Sequence, residues 1–115
     1  MIINGRNVRV AAIDFDGTLF TEDRFPEVGD PIYKNIEYVK SLRENGVELI
    51  LYTNRESALL EAAVSACKEV GLEFDAVNEN LQWRIDLYGN DCRKIGADIY
   101  FDDKALGLKV FTKEL

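Results

Sequence analysis

Asp14-Phe15-Asp16-Gly17-Thr18 sets two carboxylates two residues apart, directly after the apolar run Val-Arg-Val-Ala-Ala-Ile at 8–13. If the strand continues through them, both carboxylates leave the same face. Carboxylates held together repel unless one is protonated or a cation sits between them. A second acidic pair, Asp102-Asp103, closes another apolar run, and Thr53-Asn54-Arg55 closes a third. Gathered at one edge, the four carboxylates Asp14, Asp16, Asp102 and Asp103 call for a hard divalent cation. All-oxygen ligation with few dedicated ligands suits Mg2+, which keeps waters and accepts a substrate phosphate into its shell. Gly17 permits a sharp turn that brings backbone N–H groups towards an anion, and Thr18 can cap that turn. Taken alone, the segment also reads as a solvated Asp-Gly turn.

These residues meet only if separate strands deliver them. The run at 8–13 is short, apolar and β-branched, as in a strand buried on both faces of a parallel sheet. Asp30-Pro31 predicts a helix cap followed by proline at the first helical position, with Ile32, Ile36, Val39 and Leu42 at helical spacing until Asn45-Gly46 stops the helix. The pattern then repeats as a strand at 47–52 and a helix at 57–70 with Leu60, Ala63, Cys67 and Val70 inward and Gly71 as terminator. Short strands follow at 74–77 and 99–102, with a fifth at 108–111. Leu81, Ile85 and Tyr88 share one helical face, so 81–88 reads as a short helix that buries it, with Trp83 turned to the site mouth or a partner. Strands alternating with helices imply right-handed crossovers and a parallel sheet with helices on both faces, a three-layer α/β fold. In such a sheet ligands bind outside the carboxyl ends of the strands, where all three reactive segments fall.

Composition narrows the chemistry. The chain has 115 residues, the length of one domain, and carries 14 Lys and Arg against 21 Asp and Glu, a formal charge of −7. Polyanion binders need clustered positive charge, so nucleic acid and anionic membranes are disfavoured as partners. There is no His, which excludes a Ser-His-Asp triad, a Cys-His dyad and any His-bearing zinc site. No apolar run approaches a membrane span, and the opening MIINGRNVRV lacks the basic-then-apolar order of a signal peptide, so a cytoplasmic location is expected. Cys67 lies in an apolar run and Cys92 in a polar loop, and a disulfide between them is not expected.

IDFDGTLF resembles the first motif of the haloacid dehalogenase-like superfamily, LILYT ending at Thr53 resembles its second, and DIYFDDKA with Asp102-Asp103 resembles its fourth. Their order and spacing match from 8 to 111. The resemblance implies a Rossmann-like sheet and chemistry through a phosphorylated aspartate. Asp14 would then be the nucleophile. Asp16 would protonate the leaving oxygen and later take a proton from water, which points to phosphate-ester hydrolysis. Thr53 would donate to a phosphoryl oxygen through its hydroxyl and Asn54 through its backbone N–H. The superfamily's third motif, a lysine that neutralises the phosphoryl group, is matched best by Lys94, with Lys104 and Arg93 as alternatives. Either Asp102 or Asp103 could reach the metal directly.

Arg55, two residues past Thr53, is placed to fork onto a substrate phosphate or to pair with Glu56 or Glu61. Phe20 and Phe25 bracket a polar loop after the first motif, either gating the site or packing on the first helix. The intervals 19–52 and 54–93 are consumed by predicted core elements, and an independent domain needs roughly 50 residues of its own. A capless, open site roofed by the loop at 20–29 is therefore expected, walled further if the chain self-associates. The reading is a Mg2+-dependent phosphatase acting on a phosphorylated small molecule or the phosphorylated end of a larger one. The alternative is a non-catalytic phosphate- or metal-binding regulatory module of the same fold.

Overall fold

The computed structural model describes residues 1–105 of the chain. It opens with a hairpin of β1 (Ile2–Ile3) and β2 (Arg6–Asn7), antiparallel with Ile3 opposite Arg6. Asn4 and Gly5 both take positive φ, 51° and 77°, the conformation a two-residue turn with the strand twist requires. The main sheet then follows in chain order as β3 (Val10–Ile13), α1 (Tyr33–Glu44), β4 (Glu48–Leu51), α2 (Ser57–Glu69), β5 (Ala76–Val77), α3 (Gln82–Tyr88) and β6 (Ile99–Phe101). Its order is β5-β4-β3-β6 and every pairing is parallel.

The faces follow from alternation. Ala11 and Ile13 of β3 and Leu49 and Leu51 of β4 pack with Ile36, Val39 and Leu42 of α1 and Ala63 and Cys67 of α2. Val10, Ala12 and Ile50 turn the other way, onto Leu81 and Ile95. Right-handed crossovers from β3 to β4 and from β4 to β5 put α1 and α2 on one side, and the return to β6 carries α3 across to the other. This is a three-layer, Rossmann-like α/β fold. The chain leaves β3 in one direction and comes back to its opposite flank, so β3 stands at the switch point where such sheets bind ligands. Among the described residues no cap domain is inserted in either interval, and no helix is long and apolar enough to cross a membrane.

Several predicted details differ. The first helix begins at Tyr33 with no side-chain cap, rather than at Pro31 behind Asp30. Asp30 is taken up by the preceding loop: its carboxylate accepts from Arg24 at 2.8 Å, its carbonyl accepts from Thr21 N–H at 2.8 Å, and Pro31 bridges to Phe20. With Ile32 N–H donating to Leu19 O at 2.8 Å, the two ends of this loop are tied together. Gly29 is buried where that tie is tightest, since a Cβ there would drive into the Thr21 backbone. The short helix α3 buries none of its own residues: Leu81, just before it, is buried, but Tyr88 is 63% exposed. Trp83 does not face the site. Its indole donates to Glu48 at 3.2 Å and carries the Arg9 guanidinium over its ring, at the amino edge of β3 and β4. The predicted strand at 108–111 lies outside the described residues.

Candidate active site

Three strand ends converge at the carboxyl edge. β3 ends at Ile13, so Asp14 is the first residue beyond it, and its N–H still donates to Phe101 O at 2.9 Å. β6 ends at Phe101 and delivers Asp102 and Asp103. β4 ends at Leu51, after which Tyr52 N–H donates to Ile13 O and Thr53 N–H to the Asn78 carboxamide, each at 2.8 Å. Asp14, Asp102 and Asp103 each offer a carboxylate oxygen, all within 4.8 Å of one another. Thr18 ties two of them: its hydroxyl lies 3.1 Å from Asp14 Oδ2 and 3.1 Å from Asp103 Oδ1, and it accepts the Asp103 N–H at 2.9 Å. Gly17, at φ 84°, passes so close beneath that a Cβ would collide with the Asp103 carboxylate.

Crowding shows in the electrostatics. Burial pushes the Asp14 carboxyl up to about 7 from 3.8, the Asp102 charge beside it adds to the rise, and so does a hydrogen bond with Asp103. Partial burial acts on Asp103 in the same sense, but hydrogen bonds with Asp14, Lys104 and Thr18 outweigh it and hold that carboxyl below its ordinary value. A half-buried carboxylate facing two others is what a cation would relieve. The donors are all hard oxygens, and three carboxylates suit Mg2+ better than a soft or nitrogen-seeking metal.

Asp16 does not join this group. The chain turns at Gly17, and the Asp16 carboxylate pairs with Arg55 instead of joining the three others. Nε donates to Oδ2 at 2.7 Å and an Nη to Oδ1 at 2.8 Å, a two-pronged pair. Asp16 is therefore not a carboxylate ligand of the cluster, and the expectation that Asp14 and Asp16 leave one face fails because the strand stops before both. Arg55 is equally not a free fork for substrate: it is 2% exposed. Its guanidinium lies between the Phe15 and Phe25 rings, 5.1 and 5.2 Å from their centres, and its remaining N–H groups donate to Pro26 O, Glu27 O and Leu59 O. Neither Glu56 nor Glu61 pairs with it. Removing one partner of a buried pair of this kind costs about 3–5 kcal/mol.

Thr53 and Asn54 stand where the sequence predicts. They line a hollow of about 260 Å³ together with Asp14, Asp16, Asp102 and Lys104, roofed by Phe25 and Glu22, and a smaller adjoining one of about 120 Å³ that Tyr52 also walls. The Thr53 hydroxyl accepts the Arg55 N–H at 3.2 Å, leaving its own proton to donate. Three other hollows, of about 210 and 270 Å³ around Arg43 and Leu72 and of about 280 Å³ beside Asn80, Arg84 and Tyr88, gather no comparable group of carboxylates.

The three cations separate. Lys104 enters the hollow but is bound by Glu22 at 2.8 and 3.0 Å and by Asp103 at 3.3 Å, and the Glu22 bond above all pushes its ammonium up. Lys94 does not touch the carboxylates. Its ammonium lies 5.8 Å from the centre of the Tyr100 ring, and Tyr100 meets Tyr52, on the cleft wall, edge to face. Among the described residues Lys94 forms no ion pair. Arg93 is exposed. Phe20 is buried against Phe15, with ring centres 5.0 Å apart, whereas Phe25 is 57% exposed on the roof of the site. Both cysteines are free, and burial pushes the Cys67 thiol up to about 12.

The chain is thus a three-layer α/β protein with an acidic site at the switch point of its parallel sheet. The solved structure of a conserved protein from Bacteroides thetaiotaomicron is similar to it at a TM-score of 0.76 and 36% identity, over 88% of this chain and 80% of that one. The chain belongs to the family of that conserved protein. No family model and no curated protein matches it.

Proposed function

We propose that the protein is a Mg2+-dependent phosphatase of the haloacid dehalogenase-like type, which hydrolyses phosphomonoesters through an aspartyl-phosphate on Asp14. The observation that carries this reading is the meeting of Asp14 with Asp102 and Asp103 at the switch point, in one hollow with Thr53 and Asn54. Asp14, Asp102 and Asp103 would hold the ion. Once bound, Mg2+ supplies positive charge against the phosphoryl oxygens and favours the ionised Asp14.

In the first half-reaction an Asp14 oxygen attacks phosphorus and the bond to the ester oxygen breaks; that oxygen takes a proton from Asp16, which must first gain it from solvent against the Arg55 charge, one prong of the pair opening to admit it. In the second, water attacks the same phosphorus and gives its proton to Asp16. The bond to Asp14 breaks, and phosphate leaves. The Thr53 hydroxyl and the Asn54 N–H donate to phosphoryl oxygens. Lys94 supplies the neutralising charge. Its hold on the Tyr100 ring is a weak cation–π contact of about 0.5–1 kcal/mol at an exposed site, readily exchanged for an anion, whereas Lys104 is already committed to Glu22.

The substrate class is a phosphorylated small molecule or the phosphorylated end of a larger one, since nothing among the described residues encloses the hollow beyond the loop carrying Glu22 and Phe25. The charge of −7 and the two free cysteines support a cytoplasmic setting and argue against a nucleic-acid partner. One observation favours the second reading, a non-catalytic phosphate- or metal-binding module: both Asp16 oxygens are occupied by Arg55. Release of inorganic phosphate from an aryl phosphate with and without Mg2+ separates the two. Metal-dependent turnover is expected, and binding without turnover at any Mg2+ concentration would establish the module.

A further inference from the structure

Asp16 and the roof of the site share a single buried group. The Arg55 guanidinium spends two N–H groups on the Asp16 carboxylate and donates to the carbonyls of Pro26 and Glu27, with Phe25 stacked on its face. The loop is closed on itself at its base by Thr21, Asp30, Leu19 and Ile32, so its tip is the part Arg55 fixes. A fifth bond, to Leu59 O, roots the arginine in α2. We infer that Arg55 is a positioning residue that sets the orientation of the Asp16 carboxylate at the cleft wall and latches the Phe25–Glu27 roof to it, so that roof and proton-transfer group move as one. Lysine cannot replace it, because one ammonium cannot fork onto a carboxylate while also serving carbonyls on the loop. The catalytic half of this inference rests on the phosphatase reading, and the latch itself does not.

The test uses the full chain with Arg55→Lys, Asp16→Asn and the double variant, with two readouts. The first is steady-state hydrolysis of an alkyl phosphate and of an aryl phosphate with a good leaving group. Arg55→Lys should lower kcat for the alkyl ester by about tenfold or more, with little change in KM and a smaller loss for the aryl ester, because only the poor leaving group depends fully on a proton from Asp16. The loss should vanish in the Asp16→Asn background. A loss of equal size in that background, a change confined to KM, or a gain in activity would each overturn the positioning role.

The second readout needs no turnover. Arg24 lies in the roof loop beside Phe25, so the rate of tryptic cleavage after Arg24, relative to other sites in the chain, reports release of the latch. Cleavage should accelerate severalfold in both Arg55→Lys and Asp16→Asn. Unchanged cleavage in both, or acceleration in Arg55→Lys alone, would overturn the latch. Absence of phosphatase activity in the parent protein, together with accelerated cleavage in both variants, would overturn the catalytic reading and leave the latch standing.

Discussion

Asp14 and Asp16 are two residues apart in sequence and sit in opposite electrostatic worlds. Asp14 faces Asp102 and Asp103 and forms no ion pair among the described residues, and its proton is held up to about pH 7. Asp16 faces a buried arginine that bonds both its oxygens. A turn at Gly17 and the stop of β3 at Ile13 create the difference, since neither carboxylate inherits the alternation of the strand. Two carboxylates two residues apart thus meet different environments, one facing other carboxylates and one paired with an arginine. The contrast is built into the fold by side chains of the chain itself.

The largest expected effect removes the first carboxylate. Asp14→Asn keeps the shape but cannot act as a nucleophile, and turnover should fall by on the order of a thousandfold or more while the circular dichroism spectrum stays native. Near-native activity in this variant would remove Asp14 from the mechanism.

Supplying or withdrawing the cation comes next. Chelation should stop activity. Added Mg2+ at about 100 times its Kd should stabilise the fold by about 2.7 kcal/mol, a rise in Tm of several degrees for a domain of this size. Asp102→Asn and Asp103→Asn should each raise the Mg2+ concentration needed, one more than the other. If neither does, the acidic group is not the metal site.

A smaller effect distinguishes the lysines. Lys94→Ala should lower kcat/KM by about tenfold or more, since it withdraws a charge that has no carboxylate partner among the described residues, and Lys104→Ala by less than about threefold, because Glu22 already neutralises it. The reverse ranking, measured on one aryl phosphate, would assign the phosphoryl-neutralising charge to Lys104.

The mildest signature is a pH slope without metal. Below the ordinary Asp value of 3.8 both folded and unfolded chains hold the Asp14 proton. Between 3.8 and about 7 only the fold keeps it, so the unfolded chain binds fewer protons and stability falls as pH rises. The Tm of the metal-free protein should therefore decline across this window and level off above it. Asp14→Asn should lack this component of the slope, and saturating Mg2+ should suppress it by stabilising the ionised form. An unchanged slope in Asp14→Asn would show that Asp14 is not the strained carboxylate.

What could be read from the sequence was local. The strands, the two long helices and the positions of Asp14, Thr53, Asp102 and Asp103 at strand ends follow from periodicity and turn residues that act over a few positions. The pairing of Asp16 with Arg55 spans 39 residues and leaves no local trace. An arginine four positions beyond a strand looks the same whether it meets a substrate or a buried aspartate. Asp30-Pro31 carries a helix-start signal that tertiary bonding within the loop overrides. The Asn4-Gly5 hairpin, by contrast, carries a legible signal, an Asn-Gly turn pair directly after the apolar Ile2-Ile3. The contacts of Trp83 with Glu48 and Arg9 are not legible in the sequence, because a short helix gives too few positions to orient its outer face.

The most direct test of the central claim is to trap the phosphoryl group. Asp16→Asn, incubated with an aryl phosphate and Mg2+ and quenched in acid, should carry one phosphoryl group, located by mass spectrometry on the peptide that contains Asp14. Omitting Mg2+ or adding Asp14→Asn should abolish it. Mg2+-dependent phosphate release by the unsubstituted protein with no phosphorylated peptide in Asp16→Asn, or a phosphoryl group that survives Asp14→Asn, would contradict an aspartyl-phosphate on Asp14.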